Sequence, residues 1–418
     1  MTRDEKLTAL NAVLQRCKQS SFYRNRLPDK ELISFEELKK LPLTTKQDLR
    51  DNSPFGLVCV PHKELYQYHE SFGTTGTPVS HWLTKEDMRS NAHNINSGGI
   101  NFSKDDTVLV RFPYALSTIA HYVHKAAQSK GACVIPASSW STITPLTRIL
   151  NLMQKLEVTV LTCLPLQALL LAETAEMIGL NPSKDFPKLR AIFTAGELLT
   201  EGKRKLLENI WNAQMINNYG MTEVGSLVND CEFSCPHPAE NDFIFEILKD
   251  DLETDVKPGE IGNLVVTTIN KQASPIIRFL TGDRAEKINV ECPCGTETSI
   301  RIRGRNRDTI NIASQRLDLW DLDYIASHLP YHRFWVAGPS SNGLRLVIEE
   351  EQNKTNINRK IVAELEEVYG LPISIETVPR GTIYNREQLL AVGEVGKPRY
   401  IYSEKELVQK FLSNKPQA

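Results

Sequence analysis

The sequence predicts an α/β protein with two parts. The first is a large N-terminal domain of layered β-sheets flanked by helices, carrying a barrel-like segment; the second is a small α+β C-terminal domain. Three features of the chain point to this. Between residues 107 and 212, strand-like and helix-like stretches alternate across short connections, the pattern of a parallel sheet covered on both faces. After about residue 240 strand-like runs dominate, as in a mainly antiparallel region. A compact β-α-β unit lies near the C-terminus. A length of 418 residues also exceeds one compact core, and a boundary near Asp308 gives domains 1–307 and 308–418.

Taken in order, residues 3–18 and 34–50 read as helices. Thr107 to Phe112 is a β-branched run and so a buried strand. A helical stretch around Ile119 to Ser129 and the strand-like Cys133-Val134-Ile135-Pro136 follow it. Leu146, Ile149, Leu150, Met153 and Leu156 recur at helical spacing. Thr159 to Leu164 is a strand, Leu166 to Ile178 a helix, Ala191-Ile192-Phe193 a strand and Glu201 to Asn212 a helix. Beyond the change of pattern, Phe243 to Leu248 and Asn263 to Thr268 are strands. Arg345 to Glu350, Arg359 to Tyr369 and Ile373 to Val378 make the β-α-β tail.

Composition narrows the function classes. With 41% hydrophobic and 24% charged residues, the chain reads as an ordinary soluble protein. A net charge of -2 gives no electrostatic reason to expect nucleic acid or an anionic membrane as partner. No apolar run approaches the ~20 residues of a membrane helix. The charged start, Met1 to Lys6, leads into no signal-peptide core, so a cytoplasmic protein is expected. In that reducing compartment the eight cysteines are buried thiols or metal ligands rather than disulfides.

Four motifs carry chemistry. Ser71-Phe72-Gly73-Thr74-Thr75-Gly76-Thr77-Pro78 offers amides and hydroxyls that can wrap phosphate oxygens, although such a loop alone serves equally as a turn. In Asn218-Tyr219-Gly220-Met221-Thr222-Glu223, Tyr219 offers a flat face to a purine, Thr222 a hydroxyl to a phosphate and Glu223 a carboxylate to Mg2+. Asp283, in Thr281-Gly282-Asp283-Arg284, can accept both hydroxyls of a ribose. Arg305, in Gly304-Arg305-Asn306-Arg307-Asp308, can hold a ribose or phosphate oxygen, with Asp308 as a hinge. Each alone fits a solvated turn; all four in this order point to a nucleotide.

Together they resemble the adenylate-forming superfamily of acyl-CoA synthetases, adenylation domains and luciferases. The chain is most similar to the phenylacetate-CoA ligase branch, through Ser20-Ser21-Phe22-Tyr23-Arg24 and Leu41-Pro42-Leu43-Thr44-Thr45-Lys46-Gln47-Asp48-Leu49-Arg50. Ala195-Gly196-Glu197 matches the strip that lies along the adenine. The resemblance implies ATP-dependent activation of an acid to acyl-AMP with release of pyrophosphate, then transfer to a phosphopantetheine thiol. By position, Ser71, Gly73, Thr74, Thr75 and Gly76 would hold the pyrophosphate, and Asn218, Tyr219, Gly220 and Met221 the adenine side. Thr222 would touch the α-phosphate, Glu223 would bind Mg2+, and Asp283 and Arg305 would fix the ribose. A mobile C-terminal domain would supply a catalytic lysine, for which Lys397 in Gly396-Lys397 is the best match; the alternative for it is a solvated turn.

Cys292-Pro293-Cys294-Gly295 is a metal knuckle, and Cys231, Cys235 and His237 lie upstream. The resemblance implies a structural zinc on Cys231, His237, Cys292 and Cys294, with Cys235 able to replace Cys231; the alternative is free thiols. The acid pocket would be walled by Tyr114, His121, Ala195, Met221 and Val224, a set that suits an aryl or short branched acid; the alternative for each is core packing, and for His121 a hydrogen-bonded core histidine. The acceptor is CoA or a carrier protein, the latter in natural-product biosynthesis. A non-catalytic nucleotide-binding protein is the alternative of another class. A homodimer is compatible with all three.

Overall fold

The computed structural model describes residues 1–71, 77–139, 141–330, 332–350, 357–391 and 398–413. Gly73, Thr74, Thr75, Gly76 and Lys397 lie outside these described residues. The chain opens with α1 (Arg3–Cys17), α2 (Phe35–Lys39) and α3 (Lys46–Asp51), then β1 (Gln67–Glu70), β2 (Ser80–Leu83) and α4 (Lys85–Asn96). Alternation follows: β3 (Thr107–Val110), α5 (Thr118–Ser129), β4 (Cys133–Pro136), α6 (Leu146–Lys155), β5 (Val160–Cys163), α7 (Pro165–Met177), β6 (Ala191–Ala195) and α8 (Glu201–Trp211). Next come β7 (Gln214–Met221), β8 (Gly225–Asp230) and β9 (Pro236–Pro238). The sheet is ordered β4-β3-β5-β6-β7-β8-β9, parallel up to β7 and antiparallel from there to β9. Side chains of β3, β5 and β6 are buried on both faces, which is why these strands read as continuous apolar runs.

Two cores sandwich the sheet. Leu109, Leu161 and Ile192 pack against α6, α7 and α8, whereas Val108, Val110 and Phe193 pack against α4 and α5. The expected helix over 34–50 is instead two short helices. Pro42 cannot donate to a helix, and Thr44 pairs as an extended residue with Phe279, its N–H bonding Arg278 O at 2.9 Å.

The later strands β10 (Phe243–Leu248), β11 (Ile261–Thr268), β12 (Phe279–Asn289) and β13 (Thr298–Arg305) form one antiparallel sheet in that order. Its pairing runs from β10 to β13 without joining those two strands, so among the described residues the barrel-like segment is an open sheet; β13 packs on β9.

From Ile310 on, the chain builds its own core. After a hairpin of β14 (Ile310–Ile312) and β15 (Gln315–Leu317) come α9 (Leu319–Ser327), β16 (Trp335–Ser340), β17 (Gly343–Glu349), α10 (Arg359–Tyr369), β18 (Ile373–Val378), α11 (Arg386–Ala391) and α12 (Glu404–Leu407). The β17-α10-β18 unit is parallel, as the tail pattern predicts. Phe334 and Leu389 leave this core and enter that of α6 and α7.

Candidate active site

The parallel strands end on a cavity of about 1470 Å³. Its walls include Phe112 after β3, Leu164 after β5, Ala195 at the end of β6 and Asn218 to Met221 at the end of β7. Carboxyl ends of parallel strands are where open α/β sheets bind ligands, because the chain must turn there and its loops diverge. Ser71, Gly196, Glu197, Thr222, Glu223, Asp283 and Arg305 stand on the same wall.

Local geometry aims these groups. Gly220 faces the β8 backbone so closely that a Cβ would meet Gly225 O at 2.5 Å, so the β7–β8 turn closes tightly and carries Thr222 and Glu223 at its tip. Glu223 is only 2% exposed, and Lys46 Nζ, at the start of α3, lies 2.9 Å from its carboxylate. Asp283 and Arg305 are direct neighbours across β12 and β13, with Arg305 Nε 3.7 Å from the Asp283 carboxylate. The Tyr219 hydroxyl donates to Asp283 Oδ2 at 2.6 Å, so the candidate purine platform and the candidate ribose acceptor form one unit. Burial pushes the Asp283 carboxyl above its usual range, against the opposing pull of Tyr219, Arg305 and Lys46. Burial, reinforced by Asp283, likewise raises the Tyr219 phenol, which stays a donor.

Glu197 Oε2 accepts from Leu166 N–H at 2.8 Å, while Lys203 Nζ and the Tyr400 hydroxyl bond Glu197 Oε1 at 2.9 and 2.5 Å. Tyr400 and its neighbours Pro398 and Arg399 bring the C-terminal part onto the cavity rim. Two of the expected acid-pocket residues, Ala195 and Met221, line the cavity; Tyr114, His121 and Val224 do not. Val224 points into the core beneath. His121 bonds Tyr114 O at 3.0 Å, and the Tyr114 hydroxyl bonds His124 at 3.0 Å, so this pair is occupied with its own loop. Ile119 and Tyr122 of α5 take that stretch of wall instead. Lys46 is a charged residue of the lining to which the motifs assigned no role.

Five further donors converge, of which Cys235 lines the same cavity. Cys231 Sγ lies 3.5 Å from Cys292 Sγ, and Cys294 Sγ 3.2 Å from His237 Nε2. Ligand atoms of Cys231, Cys235, His237 and Cys292 all fall within 4.8 Å of one another. His237 Nδ1 donates to Thr298 O at 2.7 Å, which leaves Nε2 with its lone pair turned to the thiols. Donor type and spacing fit a closed tetrahedral zinc site.

Residues 36–270, more than half of the chain, match the family model described as AMP-binding enzyme. The chain belongs to this family. It is an AMP-forming acid–thiol ligase. The phenylacetate-coenzyme A ligase of Thermus thermophilus is 31% identical to this AMP-binding enzyme over 324 residues, 74% of this chain and 71% of the relative. That of Pseudomonas putida is 32% identical over 264 residues, and the match spans 58% of its length. Among solved structures, 2-hydroxyisobutyryl-CoA ligase in its postadenylation state shares the fold with a TM-score of 0.85 at 22% identity, over 97% of this chain and 90% of that one. The same ligase in its thioesterification state gives 0.69.

Proposed function

We propose that this enzyme activates a small, aromatic carboxylic acid as its acyl-adenylate and then transfers the acyl group to the thiol of CoA. The single observation that carries this reading is the convergence of Tyr219, Asp283, Arg305, Thr222, Glu223 and the Ala195–Glu197 strip on one cavity that Phe112, Ile119, Tyr122 and Leu164 also line. The acid oxygen attacks the α-phosphorus, the bond to the β-phosphate oxygen breaks, and pyrophosphate leaves. The thiolate sulfur then attacks the acyl carbon, and AMP leaves. Such chemistry asks the protein for alignment and charge stabilisation rather than a covalent nucleophile.

Tyr219 would stack on adenine with Asp283 and Arg305 on the ribose, and Thr222 would contact the α-phosphate. Glu223 would hold Mg2+, which when bound offsets phosphate charge; Lys46 beside it would add a second positive charge. Phe112, Ile119, Tyr122 and Leu164 give the acid end an aromatic and apolar lining. The 71–78 loop would hold the pyrophosphate. Between the steps, domain 308–418 would rotate and withdraw Lys397. Incubation with ATP, CoA and a panel of benzoates and phenylacetates, followed by mass analysis, tests the reading. It predicts one aryl-CoA product and AMP; hydrolysis to ADP contradicts it.

The thiol and imidazole cluster would hold a structural zinc on four of Cys231, Cys235, His237, Cys292 and Cys294. Cys292→Ser should release about one zinc per chain and lower Tm by about 5 °C or more, with the preferred acid unchanged. Metal analysis and calorimetry check this, and full metal retention contradicts it.

A further inference from the structure

One carboxylate in the large part is gripped entirely by the small one. Glu173 sits on α7, its side chain only 3% exposed. Every ion pair it makes among the described residues is to an arginine from beyond residue 330. Arg386 Nε lies 2.9 Å from its Oε1, Arg380 Nε 2.7 Å from the same oxygen, and Arg333 Nη1 3.4 Å from Oε2. Arg333 also clamps Glu176, one turn later, at 2.7 and 2.9 Å. The grip is stiff on the other side as well. Arg386 Nη2 bonds Glu349 of β17 at 2.5 Å, and Glu349 takes the N–H groups of Ile383 and Tyr384. The arginine segment thus moves with the small sheet.

We propose that Glu173 is a positioning residue for adenylation, holding the C-terminal part over the nucleotide cavity. Its contact is the counterpart of Tyr400 on Glu197 and Lys203, and the two contacts flank residue 397 in sequence. Rotation of the small part removes three guanidinium groups from a buried carboxylate and uncovers the seats of Phe334 and Leu389. Rotation breaks these ion pairs and returns the apolar seats to water, which costs free energy in proportion to the area exposed, so the latch favours the adenylation arrangement and must be released for thiol transfer.

This inference rests on the two-step reading above, and half-reactions separate it from a folding role. In Glu173→Gln, acid-dependent ATP–pyrophosphate exchange should fall by about tenfold or more, while transfer from preformed acyl-adenylate to CoA stays within about twofold of wild type. Tryptic cleavage after Arg386, shielded in the docked form, should accelerate without any substrate present. Exchange and cleavage both at wild-type levels, or equal loss of both half-reactions, overturns the latch. Should Glu173→Gln fail to fold, Arg386→Gln is judged by the same criteria. If wild type shows no exchange with any acid, the two-step reading fails, and the cleavage rate alone decides whether Glu173 holds the two parts together.

Discussion

Glu223→Gln should reduce ATP–pyrophosphate exchange by about 10²- to 10³-fold while leaving the fold intact. The substitution keeps shape and volume and removes only the charge. Glu223 is buried at a turn tip on the cavity wall, beside Lys46 at 2.9 Å. A neutral amide there would bind a divalent cation poorly and would leave Lys46 without its counter-charge. The loss should be softened by raised Mg2+, because weaker binding is restored by mass action. Exchange kinetics across a Mg2+ series check this; a loss indifferent to Mg2+ would assign Glu223 a different role.

On the proposed role, Lys397→Ala should likewise lower exchange by about 100-fold or more, through loss of a positive charge that would meet the growing charge on the α-phosphate. Transfer from preformed acyl-adenylate should continue at close to the wild-type rate. Tryptic cleavage after Arg386 should stay slow, since the described latch at Glu173 is built from Arg333, Arg380 and Arg386. That combination separates a group acting on phosphate from one that seats the domain. Parallel loss of both half-reactions would move the role to another cation on the cavity, such as Lys46 or Arg305.

How much was legible in the sequence depended on distance along the chain. Strands β3, β5 and β6 announced themselves because burial on both faces makes them continuously apolar. Tyr219, Thr222 and Glu223 could be read together because one β-turn presents them. The Tyr219–Asp283 bond joins residues 64 apart, and no local period encodes such a pair. Glu173 was invisible for the same reason. It lies in a helix buried nearly all round, and its arginine partners are 160 to 213 positions away. Of the residues expected in the acid-pocket wall, Tyr114, His121 and Val224 do not line the cavity, because side-chain direction, not proximity in sequence, decides what faces it. Tyr114 and His121 turn to each other, and Val224 turns to the core. The single helix expected over 34–50 failed at Pro42 and Thr44, where pairing with a distant strand overrides local propensity.

The most direct test is ATP–pyrophosphate exchange by the purified wild-type protein, with a panel of benzoates, phenylacetate and short aliphatic acids. Exchange that depends on an aromatic acid and vanishes without Mg2+ is the predicted result. Tight ATP binding with no acid-dependent exchange across the panel would contradict the proposed adenylation chemistry.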